Sequence, residues 1–500
     1  MGRQRDAFFA GALYVVDVRG WPADKVHPAR PLTTRVTAPV GARLGVWAAH
    51  PHDHRALPPS APGATPWAQV ERFALGHSGN RTLEAPKRSW VVEFADGDDL
   101  AGMGRLNLKA MYNDPSQMRE ALAWGLFGAA GVPAPRHTYA RLGINGSYLG
   151  LFSVIEHVDR PFLRSRFGAR DHGNLYKVGC GDLGCGTLER RSGPDHDDGG
   201  RQYRSPSDDD PTYRLKSYAG GPGADTYDDL ARLVRVVDGA GLPGGDRRFD
   251  TGAYADGVRE VLAVEDFLRW AGVNVLAGSW DNYFATPANY YLYNGGRPAG
   301  TADVMDQPYF SFVPWDYDNS FGIDYFGTRW QYTDLLDWPA NTEAYQRFNR
   351  RKGRTRIPLV TNLLASTAFR RYYLDHLEHL LDTVFSPAAI DALIGIDGTG
   401  APTGGGLWDR VAASAYLEAD SPFGWPGTGR QFLNDEVYRA GCAQQELQRG
   451  NGLVLGIHHY VRMRYDRARE QLEQLRRRDP AGSSGAVFPA SGPQPAVPVG

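Results

Sequence analysis

Trp280-Asp281-Asn282-Tyr283 closes an apolar segment, Asn289-Tyr290-Tyr291-Leu292-Tyr293 follows it, and Pro314-Trp315-Asp316-Tyr317-Asp318-Asn319-Ser320-Phe321-Gly322 ends the next aromatic run. Three carboxylates and several amides are thus strung on short segments between aromatic stretches. Burying such groups is costly unless something cationic or reactive sits among them. Upstream, Val258 to Leu276 carries apolar residues at helical spacing and delivers Asp281 to a polar loop. Downstream, Tyr290 to Tyr293 and Phe310 to Val313 read as strands, so each acidic segment lies at the end of a regular element.

Working outward, residues 1 to about 110 are short strand-like runs punctuated by Pro and Gly, with Phe8 to Val16 passing directly into Asp17-Val18-Arg19 as a first strand. Asp114-Pro115-Ser116 supplies a cap for a helix through Phe127 that ends at Gly131-Val132-Pro133. Tyr139 to Ile144 turns at Asn145-Gly146 into Tyr148 to Val154, and Asn-Gly is the strongest short hairpin signal. Residues 180 to 225 are rich in Gly, Asp, Arg and Ser and read as a polar excursion with little core of its own. Helical patterning returns at Tyr227 to Val237, Ile357 to Leu381, Gln431 to Gln448 and Leu453 to Leu475. The chain is therefore expected to be α+β: a β-rich part over about 1–160, a helix-rich part over about 161–470 with room for a cleft between them, and a helix end with a flexible Pro/Gly/Ser/Ala tail over 471–500.

At 500 residues with 42% hydrophobic side chains, the chain can bury a large core. Its formal net charge of −2 gives no bulk drive toward nucleic acid or anionic membrane, so partners must be sought at local sites. No run reaches the roughly 18 apolar residues that span a bilayer, and the start lacks the apolar length and small-residue cleavage site of a secretion signal. The default expectation is a cytoplasmic protein without a transmembrane segment. Three cysteines argue against a disulfide scaffold; Cys180 and Cys185 read as two loop thiols, with a local bridge open to an exported chain. His50, His52 and His54 sit with Asp53 in a Pro-flanked surface loop, and His458-His459 point to different faces of a helix. Neither group reads as a catalytic metal centre.

Further motifs carry a resemblance. Leu106-Asn107-Leu108, Asp114-Pro115-Ser116-Gln117-Met118-Arg119-Glu120, Leu142 through Phe152, Glu156-His157-Val158-Asp159, Gly173-Asn174-Leu175-Tyr176-Lys177, and Asp281 through Pro314-Trp315-Asp316-Tyr317-Asp318 occur in an order and at spacings that resemble the CotH family. That family is named for a bacterial spore coat protein and comprises atypical protein kinases. The resemblance covers about residues 70 to 380.

The resemblance implies a divergent bilobed protein-kinase-like fold that holds ATP with Mg²⁺ or Mn²⁺ and transfers the γ-phosphoryl group to Ser or Thr of a protein. Asp281 would then orient and deprotonate the acceptor hydroxyl, and Asp316, with Asp318 and the amide of Asn289, would hold the metal. As bare residues, Asp281 reads equally as a turn cap and Asp316 as a strand-end carboxylate satisfied by backbone amides. Arg81, Lys87, Arg88, Lys109 and Lys177 are candidate phosphate contacts, the first three flanking a small-residue turn at Gly76 to Gly79. Glu156 is expected to pair with one of these cations or to sit beside the adenine, and Trp315 to stack on the nucleotide or fill the core. Family relatives at spores and cell surfaces keep export open. Two other functions share these residues: a catalytically silent binding or surface-assembly module, and an enzyme that transfers AMP.

Overall fold

The computed structural model describes residues 2–10, 13–25, 31–50, 67–79, 83, 85, 87–112, 114–191, 199–207, 209–217, 225–297, 303–338, 356–418, 444–446, 453–478, 484–486 and 488. Helix α1 (Gly2–Ala10) precedes β1 (Tyr14–Arg19), β2 (Val36–Thr37), β3 (Arg43–Ala48), β4 (Ala68–Val70), β5 (Phe73–Ser78), β6 (Ser89–Phe94) and β7 (Arg105–Lys109). Helix α2 (Arg119–Ala129) leads to β8 (His137–Ile144) and β9 (Ser147–Ile155). These strands form one sheet in the order β2-β5-β6-β7-β9-β8-β1-β3-β4. Strands β1 to β9 thus fall within the first 155 residues, and Phe8 and Phe9 belong to a helix rather than to the first strand.

Strand alternation decides which side chains face away from the core of this sheet. Leu106 and Leu108 of β7 join Val92, Leu142, Phe152 and Val154 in one core, so Arg105, Asn107 and Lys109 are directed to the opposite face. The β8–β9 hairpin turns on Asn145 and Gly146, at φ 51° and 85°. Both central residues of such a turn need positive φ, which is what Asn-Gly tolerates best. The Asn145 side chain also accepts from the Trp21 amide at 3.0 Å and donates to the Trp21 carbonyl at 2.6 Å, tying the turn to the end of β1.

The second part begins with α3 (Arg160–Phe167) and β10 (Asn174–Val178), followed by the small hairpin β11 (Cys180–Gly181) and β12 (Gly184–Cys185), then β13 (Tyr213–Ser217). Helices α4 (Asp228–Val237), α5 (Gly252–Val261) and α6 (Val264–Ala277) lead to β14 (Tyr290–Asn294), β15 (Phe310–Pro314) and the two-residue β16 (Ile323–Asp324). Strands β13-β10-β14-β15 make a second, four-stranded sheet. Helices α7 (Pro358–Ala365), α8 (Thr367–Asp382), α9 (Pro387–Ile394) and α10 (Gly406–Leu417) follow, then β17 (Gln444–Glu446), β18 (Leu453–Leu455) and α11 (Ile457–Arg478). This part packs a large core around Trp270, Phe312, Tyr317, Trp330 and Trp338. No helix among the described residues is long and apolar enough to cross a membrane.

Several boundaries differ from the sequence reading, each for a local reason. The helix after Asp114 starts five residues later, because Gln117 adopts φ 55°; Asp114 instead accepts from the Ser116 and Arg119 amides at 2.9 and 2.8 Å. The pattern from Val258 to Leu276 is broken at Leu262-Ala263, where the Ala263 amide donates to the Phe310 carbonyl at 2.8 Å. Residues 444–446 and 453–455, expected to be helical, pair as strands, while most of 431–448 lies outside the described residues. The polar excursion adds β13 to the sheet and buries Tyr203 and Tyr213. Cys180 and Cys185 are joined by a disulfide across β11 and β12 rather than left as thiols. In the tail, Phe488 is seated against Tyr372, His376 and His379 of α8.

Candidate active site

Asp316 stands two residues past the end of β15, in a left-handed conformation at φ 65° that costs a non-glycine residue energy. The turn is held on both sides. The Trp315 amide donates to the Asn289 carbonyl at 3.1 Å and the Phe321 amide to the Ala277 carbonyl at 2.7 Å. Arg119, anchored on Asp114, also reaches the Phe321 carbonyl at 3.4 Å. Strand β7 ends at Lys109, whose ammonium pairs with the Asp316 carboxylate across a separation of 207 residues.

The first turn of α2 places Glu120 behind that pair. Burial drives the Glu120 carboxyl up to about 7, against the pull of Lys109 and with the help of Asp316. Burial opposes the charge on Lys109, but Asp316, Glu120 and Asp318 outweigh it and raise the ammonium's pKa. Asp318 is pushed well above the ordinary carboxylate range by burial first and then by Asp316, Glu120 and Asp281, against the pull of Lys109. Both Glu120 oxygens, one oxygen of Asp318 and the Asn319 amide oxygen are buried without a hydrogen-bond partner in good geometry.

The second acidic loop starts where α6 stops at Gly278, at φ 61°. Asn282 is fully buried and braces the loop, donating to Asn274 Oδ1 at 2.8 Å and to the Ser279 carbonyl at 2.9 Å. Between buried Trp280 and Asn282, the Asp281 side chain is left half-exposed. Asn319 donates to its carboxylate at 3.2 Å, which ties the Asp281 loop directly to the Asp316 loop. Asn289 donates its side-chain amide to the Asp281 main-chain carbonyl at 2.8 Å, a loop-bracing contact.

Trp315, largely buried, forms the floor. Its ring meets Tyr291 edge-on at 5.7 Å, and the ammoniums of Lys109 and Lys177 each stand 6.0 Å from it. Lys177 is open to solvent yet crowded by protein; burial, with Lys109 and Lys216, lowers its pKa to about 8 despite Asp316. Leu175 and Lys177 share a face of β10, about 7 Å apart along the strand. Leu175 lines a cavity of about 410 Å³ together with His157, Val158, Gly173 and Lys216. His157 is neutral at ordinary pH, its pKa lowered to about 3 by burial and then by Arg105, Lys216 and Lys177.

The structure thus brings Asp281, Asn289, Trp315, Asp316, Asp318, Lys109 and Lys177 together. Three other expected contacts are engaged elsewhere. Lys87 is buried and donates to Glu418 and to the Leu151 carbonyl, each at 2.6 Å. Arg88 donates to the Leu83 carbonyl at 2.6 Å. Glu156 is fully buried and pairs with Arg5, Arg136 and Arg166 at 2.7 to 2.9 Å, cations other than those expected for it. Arg81 lies outside the described residues. Glu120 and Asn319 had no role in the sequence reading; a Glu at the start of an otherwise apolar helix was the available signal. No group of three or more His, Cys, Asp or Glu side chains is arranged as a ready ligand set among the described residues.

Comparison with known proteins matches residues 75–399 to the family described as CotH kinase protein. The chain is 24% identical over 320 residues to the inner spore coat protein H of Bacillus subtilis (strain 168), covering 62% of this chain and 72% of that one. Invasin CotH2 and invasin CotH3 of Rhizopus delemar are 23% and 22% identical over half of this chain, and the match spans 37% of each fungal protein.

Proposed function

Because this chain belongs to the CotH family, we propose that it is an atypical protein kinase that transfers the γ-phosphoryl group of ATP to Ser or Thr of a protein, on a divergent bilobed kinase-like fold. The observation that carries this reading is the pairing of Lys109 with Asp316, backed by buried Glu120 and facing the Asp281 loop. Phosphoryl transfer is mostly positioning and charge neutralisation, and these groups supply both.

In this reading Lys109 and Lys177 draw the phosphates to the mouth of the Asp316 loop. The nucleoside lies along Trp315 and Tyr291 toward the cavity at His157 and Val158. Asp281 accepts a hydrogen bond from the acceptor hydroxyl and takes its proton as that oxygen attacks the γ-phosphorus. The bond to the bridging oxygen breaks and ADP leaves with the electron pair. Mg²⁺ or Mn²⁺ suits the donor set, since Asp316 and Asp318 offer hard oxygen ligands and the orphaned Asp318 and Asn319 oxygens lie in a crowd of carboxylates that a cation would relieve. When bound, the ion neutralises charge on the phosphates.

Incubation with labelled ATP, Mg²⁺ and a mixture of Ser/Thr-rich proteins tests the assignment, with Asp281→Ala and Asp316→Ala as controls. Label transfer that survives undiminished in both variants would refute it. Intact mass of the acceptor separates phosphate from AMP transfer. A second reading draws on the names of the relatives, a coat protein and invasins: a silent surface-assembly module that keeps the fold. Stabilisation by nucleotide without turnover would select it. Either reading suits an exported chain, for which the Cys180–Cys185 disulfide is the supporting feature.

A further inference from the structure

Glu418 caps the C-terminus of α10, beyond residue 399 where the family match ends, and yet its carboxylate is buried against the β-rich part. One oxygen accepts from Lys87 Nζ and from the Leu151 amide, both at 2.6 Å; the other accepts from Gln117 Nε2 at 3.2 Å. Lys87 completes the ring by donating to the Leu151 carbonyl. Gly150 makes the approach possible, since a Cβ there would come within 2.8 Å of Glu418 Oε1. The helix itself is seated by Ser414, whose carbonyl accepts from Tyr148 at 2.9 Å and whose hydroxyl accepts from Arg141 at 2.8 Å.

Both strands of this contact lead to the site. Two residues beyond Leu151, Ser153 pairs in register with Lys109. Three residues beyond Gln117 stands Glu120, in the first turn of α2, and the Gln117 carbonyl is fixed by Tyr139 at 2.8 Å. A fully buried ion pair is a poor means of gaining stability, because desolvation cancels most of the attraction; its best-attested use is to fix one arrangement among several. We propose that Glu418 is a positioning residue, by which α10 clamps β9 and the start of α2 so that Lys109 and Glu120 meet Asp316 in register. Its catalytic consequence rests on the kinase reading above; the clamp itself does not.

The test compares Glu418→Gln and Gln117→Ala in the full chain. Gln117→Ala leaves the Lys87–Glu418 pair intact and severs the link to α2, so it guards against simple loss of folding. Hydrogen exchange of residues 119–122 is expected to quicken by about tenfold in both variants, with the core of the large sheet unchanged in Gln117→Ala. The KM for ATP is expected to rise on the order of tenfold, with kcat changed less. A Glu120→Gln change added to Gln117→Ala should then cost less than it does alone. Unchanged exchange at 119–122 in Gln117→Ala overturns the clamp. A lower melting temperature in Glu418→Gln with unaltered exchange there overturns it too, leaving Glu418 a fold-stabilising residue. Should the wild type transfer no phosphate, the exchange measurement still decides the clamp, and the kinase reading alone falls.

Discussion

Replacing Glu120 by Gln should flatten a specific part of the protein's pH–stability profile. Glu120 is held at about 7 rather than 4.5 by burial, with Lys109, Asp316, Asp318 and Tyr139 as its charged or titratable neighbours. Between those two values the folded state keeps a proton that the unfolded state has lost, so stability falls as pH rises through the window. At about 1.4 kcal/mol per pH unit, the total is about 3 kcal/mol, an upper figure because nearby carboxylates titrate with it. Below 4.5 and above 7 the contribution is level. Urea unfolding followed by tryptophan fluorescence in EDTA, from pH 4.5 to 8, gives the curve for each protein. The wild-type minus Glu120→Gln difference should slope downward across the window and then level off. A difference that stays flat would mean that Glu120 titrates like a solvated carboxylate, and the picture of a buried acid backing Lys109 would be wrong.

In the kinase reading, in which Asp281 meets the acceptor hydroxyl, Asp281→Ala should reduce kcat on the order of 10²-fold or more with KM for ATP little changed, since its main-chain carbonyl, which holds Asn289, is retained; steady-state kinetics separate the two effects. Lys109→Met should instead weaken nucleotide binding by on the order of tenfold, read by nucleotide-induced thermal shift, because it removes the cation that counters Asp316 and Asp318. Glu156→Gln should destabilise the protein by about 3 kcal/mol by leaving three arginines without their carboxylate. The Glu156 carboxyl is held below its ordinary range by those arginines against the cost of burial, so the wild type begins to lose its advantage as pH drops below about 4.5, and denaturant melts of the pair should draw together until the pH passes the lowered folded value. Reduction of Cys180–Cys185 should lower stability by about 2 kcal/mol, the loop-closure value for so short a ring, visible as a drop in melting temperature with dithiothreitol.

What was legible in the chain was local. Asn145-Gly146 announced its hairpin because the turn needs two positive φ values and that dipeptide adopts them. The acidic loops were legible as polar clusters at the ends of apolar elements. Their meeting through Asn319 was not, because nothing in local pattern fixes how two loops 38 residues apart face each other. Long-range partners were hidden for the same reason. Lys87 looked like a phosphate contact beside a small-residue turn, and its partner Glu418 lies 331 residues away. Glu156 reads as a partner for the candidate phosphate-binding cations or for the adenine and is instead neutralised by arginines from α1, α3 and the segment before β8. The helical pattern runs on across Leu262-Ala263 because periodicity cannot see the backbone pairing with Phe310 that interrupts it.

Strain gives an independent indication of where the molecule is specialised. Among the described residues ten non-glycine positions take positive φ, and Gln117, Asn289, Asp316 and Phe321 are four of them. Each such residue costs about 1–3 kcal/mol and persists where its surroundings over-determine it. Here they do: the Gln117 carbonyl is fixed by Tyr139, the Asn289 carbonyl by Trp315, and the Phe321 amide by Ala277, while Asp316 lies between the last two anchors. All four lie in or against the segments that carry Glu120, Asp281 and Asp316. A fold selected for stability alone would relieve those positions with glycine, as it does at Gly278 and Gly322 in the same loops. Retaining Asn, Asp and Gln at strained positions gives each a polar partner that a glycine would lack: Asp316 meets Lys109, Asn289 braces the Asp281 carbonyl and Gln117 reaches Glu418, which together hold the charged loops in fixed geometry.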